Sequence, residues 1–522
     1  MDTASPRTAS PGTRSTAHIA DATPDSRDRY VDLLRVASLA VVVVGHWLMA
    51  AVVVGPDGAA SAGNLLTTAP WLHPVTWLLQ VIPVFFLVGG FSHATALDSL
   101  ARRGGGYAEF VRARAGRLLR PTLVFVAVWL AVALVVELLG HDRGVPALAL
   151  AVVAQPLWFL GVYLGVVALA PPMLRLHRRL GTRAVAVPVG LAVAVVAVDV
   201  LRIAAEVEHV GYLNVAFVWL AVHQMGFFYA DGTLQRGGRR LAGALTLGGL
   251  AALVVLTGPA PYPVSMVGLP GELSNMAPPT VALLAQAVFL IGVVLLLRGP
   301  ATVRLRRPVV WRAVVRGNVV AMTAYLWHLT ALFVAVAAAT ALGLPEPAVG
   351  DWWWWLGRPA WIGLLAVLTA AMVTGFGRLE RLPTRGVAPT PGTGGGGGGV
   401  EGTTTAAVAA ALCAVGVLGL STVGFSGALA GRTALLVVVP VTPLTAAAAL
   451  MVGATVLLHP LSGRVARGAG EADRGPLTRS GRAAPWPPRR GRRAAGPGRP
   501  HGCTVAPSGS PPSPTPRRRR QA

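Results

Sequence analysis

The chain has 522 residues, of which 54% are hydrophobic and only 13% are charged. Soluble domains carry about 25% charged residues, so this composition excludes an ordinary water-soluble protein. Apolar runs long enough to cross about 30 Å of hydrocarbon recur along the chain, and in lipid such runs must be helical. The sequence therefore predicts an all-α, polytopic integral membrane protein.

The positive charge is concentrated at the end of the chain. The formal net charge is +24, and residues 461–522 contain 14 Arg and two acidic residues. This composition of Pro, Gly and Arg, without hydrophobic periodicity, is typical of disorder. We expect residues 459–522 to be a disordered cytoplasmic tail that contacts anionic membrane lipid, and we expect no nucleic-acid partner. The polar residues 1–29 predict a disordered cytoplasmic N-terminus.

Ten apolar segments follow one another between residues 30 and 376 and predict one ten-helix membrane domain. A Gly-rich linker at 377–403 then leads to two further predicted transmembrane helices within 404–458. The predicted core segments are 31–54, 72–97, 121–140, 148–174, 184–203, 212–230, 241–257, 280–297, 319–343 and 354–376.

Loops with many arginines alternate along the chain with loops that have few or none. The loops 98–120 and 298–316 each contain six Arg, whereas 55–70 and 258–279 contain none. Because arginine-rich loops stay on the inner side of a membrane, this pattern places both chain ends in the cytoplasm of a bacterial cell, with the protein in its plasma membrane.

The first predicted span contains three ionisable residues, Asp32, Arg35 and His46. Arg35 and His46 are eleven residues apart, about three helical turns, so they share one face roughly 16 Å apart along the axis. Asp32 lies on nearly the same face, three residues before Arg35. Ionisable groups inside a membrane are costly and often functional. Two structural readings stay open: Arg35 as an interfacial anchor, and His46 as a core histidine bonded to a neighbouring helix.

Five short motifs occur in a fixed order along the predicted domain. They are Asp32-Leu33-Leu34-Arg35 followed by Gly45-His46, then Phe85-Phe86 with Gly89-Gly90-Phe91, Arg117-Leu118-Leu119-Arg120, Leu157-Trp158-Phe159-Leu160, and Tyr325-Leu326-Trp327-His328. With these five motifs in this order, the chain resembles the membrane-bound acyltransferase-3 family over about residues 28–376. It departs from the family pattern at Gly89, where the family usually has Ser, and in the two extra helices.

The resemblance implies an O-acyltransferase. It would move an acyl group, often acetyl, from cytoplasmic acyl-CoA as co-substrate to a hydroxyl of a carbohydrate or glycosylated acceptor, with no bound cofactor. A hydroxyl nucleophile needs a base, and histidine is the usual one. We therefore take His46 as the candidate catalytic base, with Arg35 and Asp32 as its catalytic partners.

The remaining candidates are binding residues. Arg117 and Arg120 are candidates for the phosphates of acyl-CoA, with ordinary positive-inside charge as the alternative. Tyr325, His328 and Trp158 are candidate substrate contacts, and His328 is equally compatible with an interhelical hydrogen bond. The two cysteines, Cys413 and Cys503, have no metal-ligand spacing, and we expect no metal site.

Two other classes of protein remain open at this point. A transporter or flippase would also need many helices and buried polar groups, although no inverted repeat is evident in the sequence. A non-catalytic membrane scaffold would leave the shared face of Asp32, Arg35 and His46 without a function.

Overall fold

In a computed structural model, the structure describes residues 23–24, 27–55, 57–140, 143–345, 347–379 and 400–459. Most of the predicted N-terminal segment, residues 380–399 of the predicted linker, and the tail from 460 onward lie outside the described residues. The chain folds into helices with two small hairpins, which confirms the predicted all-α, polytopic architecture.

Ten stretches of the described chain are long and apolar enough to cross a membrane. One of them, Gly144–Ala204, contains two long helices in succession. The labelled helices are α1 (Arg29–Met49), α2 (Ile82–Ala101), α3 (Tyr107–Leu138), α4 (Gly144–Val152), α5 (Leu157–Leu180), α6 (Ala186–Ala204), α7 (Leu213–Ala230), α8 (Gly238–Thr257), α9 (Val281–Leu305), α10 (Pro308–Ala341), α11 (Trp352–Leu379), α12 (Val400–Val423) and α13 (Pro443–Leu458).

Short elements connect these helices. Single α-helical turns occur at Leu65–Thr68, Thr76–Leu79 and Thr233–Arg236, and 3-10 turns at Pro70–Val75, Gly181–Val185 and Glu208–Tyr212. Antiparallel hairpins form from β1 (Ala50–Val54) with β2 (Ala60–Asn64), and from β3 (Ala434–Leu436) with β4 (Val439–Val441).

Two apolar segments contain β-strands as well as a helix. Segment 31–54 leaves the helix at Met49 and continues as strand β1. The last apolar stretch within 404–458, residues 433–458, begins with the β3–β4 hairpin. Its helix starts at Pro443, where Thr442 and Thr445 form a capping box. A proline at the first helical position after such a cap is a strong helix start, which periodicity alone does not reveal.

Helices α1 and α10 run parallel and pack side by side. In the first turn of α1 the Asp32 carbonyl accepts from the Asn318 amide of α10 at 3.4 Å, and Gly317 leaves no room for a Cβ beside Val36. Further along, the Trp47 indole donates to the His328 carbonyl at 3.0 Å. These contacts fix the register in which side chains of the two helices meet.

The last two helices, α12 and α13, pack onto the helices that precede them. Helix α12 contacts α5 and α3, and α13 contacts α3. After α12, the backbone amide of Phe425 donates to the Leu150 carbonyl at 2.7 Å, and the Phe425 ring stacks on Trp129. The Glu137 carboxylate accepts from the amides of Ala428 and Leu429 at 2.8 and 2.9 Å. The α12–α13 pair is therefore part of the same packed body.

Glu137→Ala should weaken this attachment. Hydrogen bonds to a charged group contribute roughly 1.5–3 kcal/mol, and partial exposure of Glu137 reduces this, so we expect a loss of about 1–2 kcal/mol. Thermal unfolding of the purified protein in detergent measures it. Val135→Ala, at an exposed position of the same helix, is the control and should unfold like the wild type. Equal unfolding temperatures for Glu137→Ala and the control would contradict the attachment.

Candidate active site

Two histidines from the parallel helices α1 and α10 meet inside the protein. His46 Nδ1 lies 2.8 Å from His328 Nε2, and the two rings stack with a 5.0 Å centroid separation. The residues are 282 positions apart in sequence. Their contact follows from the register that Trp47 and Asn318 impose on the two helices.

The hydrogen bonds of His328 assign the protons of the pair. His328 Nδ1 lies 2.5 Å from the Tyr325 carbonyl oxygen, which only accepts, so Nδ1 carries the proton. In the neutral ring, His328 Nε2 is then an acceptor, and His46 Nδ1–H donates to it. The remaining nitrogen of His46, Nε2, is left with a free lone pair. His46 is thus oriented as a base by His328, which is itself oriented by the backbone.

The two histidines differ in exposure. His46 retains exposed surface, whereas His328 is completely buried. Tyr325 is also buried, and its hydroxyl donates to the Pro156 carbonyl at 2.5 Å. The structure therefore leaves His46 partly exposed, and it places His328 and Tyr325 in the interior behind it.

Arg35 lies on the same helix as His46, toward the first turn. Its guanidinium donates to Ser92 Oγ at 2.7 Å and approaches Asp32 at 3.3 Å. Asp32 pairs more closely with Arg27, at 2.5 and 3.0 Å, and this hydrogen bond is the main cause of the raised pKa of Arg27. The contacts of Asp32 are thus with arginines, and it serves to hold Arg35 in place.

A second arginine joins Arg35 from helix α3. The Arg114 guanidinium donates to the Ser92 carbonyl at 3.2 Å, so both arginines converge on one residue of α2. Arg114 is partly buried, whereas Arg117 and Arg120 are exposed on the same helix. The family motif pointed to Arg117 and Arg120, although Arg114 and Arg117 have the same three-residue spacing. Of the three, Arg114 is on the face of α3 that contacts Ser92 of α2.

Trp158 lies beside the site and is partly exposed. It packs against the rings of Phe159 and Trp219 at centroid separations of 6.2 and 6.1 Å. Phe159 in turn contacts Tyr325 edge to face at 5.8 Å. Two aromatic rings, those of Phe159 and Tyr325, therefore connect Trp158 to His328.

Sequence motifs did not indicate Ser92, Arg114, His93 or Tyr163. Ser92 and His93 directly follow the Gly89-Gly90-Phe91 motif, and polar residues at that position on an apolar helix were the available signal. Among the described residues, no group of three or more His, Cys, Asp or Glu is arranged to hold a metal ion.

Fold and site together define a polytopic membrane protein in which His328 orients a partly exposed His46. Arg35 of α1 and Arg114 of α3 meet at Ser92 of α2. The chain belongs to the membrane-bound acyltransferase-3 family, since a family model described as an acyltransferase domain matches residues 28–378. It is therefore a membrane O-acyltransferase, and this assignment favours an enzyme over the transporter and scaffold hypotheses. The match ends at the last turn of α11, so α12 and α13 lie beyond it. No curated protein and no solved structure matches the chain.

Substitutions of His328 should separate an orienting residue from a base. His328→Leu removes the acceptor for His46 Nδ1–H, and a misplaced base costs on the order of 10–100-fold in turnover. His328→Gln keeps an amide oxygen that can accept from His46, so we expect it to retain more activity than His328→Leu. Turnover of purified protein, normalised to folded protein by size-exclusion chromatography, measures both. Equal inactivity of the two variants would contradict an orienting role and make His328 a base.

Proposed function

We propose that this enzyme moves an acyl group, with acetyl as the first to test, from cytoplasmic acyl-CoA to a hydroxyl of a carbohydrate or glycosylated acceptor. The observation that carries this proposal is the free Nε2 of His46. His328 of α10 orients the His46 ring, and His46 lies on the same helix as Arg35. A hydroxyl has a pKa far above 7, so its attack on a thioester needs a base in the transition state.

The separation of the arginines from the base supports acyl-CoA as donor. Arg35 and His46 are eleven residues apart on one helix, roughly 16 Å along its axis. Coenzyme A has phosphates at one end and the thioester at the end of a long pantetheine arm. Phosphates on Arg35 and Arg114 would direct the arm along α1 toward His46, and guanidinium groups are well suited to bind phosphate. Arg117 and Arg120 extend the positive surface outside this pair.

The reaction that these residues support is a direct transfer. His46 Nε2 takes the proton of the acceptor hydroxyl while its oxygen bonds to the thioester carbonyl carbon. The resulting tetrahedral intermediate expels the coenzyme A thiolate, which receives the proton from His46. During this sequence His46 is briefly an imidazolium, and its Nδ1–H bond to the neutral His328 Nε2 stabilises that charge.

Other arguments support the membrane side of the donor site and the class of the acceptor. The arginine-rich loops support a cytoplasmic location for the first turns of α1 and α10 and for both chain ends, in a bacterial plasma membrane. This orientation gives Arg35 and Arg114 access to cytoplasmic acyl-CoA. The carbohydrate or glycosylated acceptor follows from the family resemblance.

Release of free coenzyme A tests the proposal. Wild-type membranes supplied with acetyl-CoA and a cell-envelope glycan extract should release coenzyme A faster than membranes that lack the protein. His46→Gln should lower this release by about 100-fold or more, because general-base catalysis contributes about 10²–10⁴-fold. His209→Gln, at an exposed position of a connecting turn, is the matched control and should retain activity.

The same assay in sealed vesicles tests on which side of the membrane acetyl-CoA is consumed. Inverted vesicles, which expose the cytoplasmic face, should consume added acetyl-CoA, and right-side-out vesicles should not. Substantial coenzyme A release by His46→Gln would exclude His46 as the base. Consumption only by right-side-out vesicles would contradict a cytoplasmic donor.

A further inference from the structure

A second pair of buried histidines lies between helices α2 and α7. His93 Nδ1 is 2.9 Å from His223 Nε2, and both side chains are 1% exposed or less. The helices approach closely because Gly90 and Gly226 face each other. A Cβ on Gly90 would lie 2.1 Å from the His223 carbonyl oxygen, and one on Gly226 would lie 2.2 Å from that of Leu87. Close helix contact at small residues is a common way to bring polar groups together in a membrane.

Tyr163 of helix α5 extends this pair. Its hydroxyl lies 3.2 Å from His93 Nε2, and its ring meets Phe85 edge to face at 5.5 Å. The absence of a side chain at Gly89 makes room for the ring, since a Cβ there would lie 3.0 Å from Tyr163 Cε2. Tyr163 retains exposed surface, unlike the two histidines behind it.

His223, at the buried end of the series His223–His93–Tyr163, sets the direction of the hydrogen bonds in that series. His223 Nδ1 has no hydrogen-bond partner among the described residues. An unpartnered buried N–H is rarer and more costly than an unpartnered acceptor, so Nδ1 carries the lone pair and Nε2 carries the proton. His223 Nε2–H then donates to His93 Nδ1, and His93 Nε2–H donates to the Tyr163 oxygen. The Tyr163 O–H remains free to donate elsewhere.

Tyr163 lies between the arginine pair and the His46–His328 pair. Its hydroxyl contacts His93, and the preceding residue, Ser92, accepts hydrogen bonds from both Arg35 and Arg114. In the other direction, Tyr163 packs against Phe159, which contacts Tyr325 and through it His328. A donor with phosphates at the arginines and its thioester at His46 would pass Tyr163 with its pantetheine arm.

We propose that the Tyr163 hydroxyl donates a hydrogen bond to an amide carbonyl oxygen of the pantetheine arm of acyl-CoA, with His93 and His223 as positioning residues that orient it. This inference rests on the proposed acyl-CoA donor. A phenol donor that His93 holds in place favours a ligand with a carbonyl oxygen at that point, because an unmatched O–H would be left unpaired. The pantetheine arm binds before the acyl transfer. Loss of the hydrogen bond from Tyr163 should therefore weaken the binding of the donor and leave turnover unchanged.

Tyr163→Phe removes only the hydroxyl. We expect its KM for acetyl-CoA to rise about threefold to tenfold, as the loss of one hydrogen bond predicts, with kcat and the KM for the acceptor unchanged. Tyr107→Phe is the matched control, since the Tyr107 hydroxyl donates to the Ala168 carbonyl, and its KM should stay at the wild-type value.

His93→Gln tests the positioning role. It should also raise the KM for acetyl-CoA, and it should add nothing in the Tyr163→Phe background if it acts only through Tyr163. An unchanged KM in Tyr163→Phe, or a lowered kcat without a change in KM, would overturn the inference. Wild-type protein that releases no coenzyme A from any acyl-CoA would contradict the donor itself and this inference with it. Normal wild-type release with an unaltered Tyr163→Phe would contradict only the role of Tyr163.

Discussion

The hydrogen bond between His46 and His328 is the interaction on which the site depends. A histidine base works only if one ring nitrogen keeps its lone pair and points to the substrate. Here the Tyr325 carbonyl fixes the proton of His328, and His328 fixes that of His46. The arrangement requires α1 and α10 to keep one register, which Trp47 maintains through the His328 carbonyl. Helix packing thus determines which nitrogens of the histidine pair carry protons.

The same logic applies to the charged groups in the membrane. A cation in hydrocarbon is costly, and this protein places Arg35 and Arg114 where each has a polar contact on α2. Asp32 and Arg27 complete the cluster at the start of α1. The polar groups therefore lie along a line from the first turn of α1 to His46, and the apolar helices around them provide the rigid support that catalytic geometry requires.

The sequence predicted the helical fold and the face of α1 that carries Arg35 and His46, because both follow from hydrophobic runs and helical spacing. A sequence motif indicated His328. Its contact with His46 could not be predicted, because it depends on the register of two helices and the two residues are 282 positions apart in sequence. Arg114 and Arg117 are three residues apart, and only the position of α2 distinguishes them. His93 and Tyr163 belong to no motif, and their contact depends on the room that Gly89 of α2 leaves for the Tyr163 ring of α5.

The central claim is that His328 acts through His46 and not beside it. The most direct measurement is turnover in a double-mutant cycle that combines His46→Gln with His328→Leu, with residual transfer followed by radiolabelled acetyl-CoA. The account predicts that His328→Leu lowers the wild-type rate by about 10–100-fold but leaves the residual rate of His46→Gln unchanged. A further loss by the same factor in the double variant would show that the two histidines act independently, and would contradict the account.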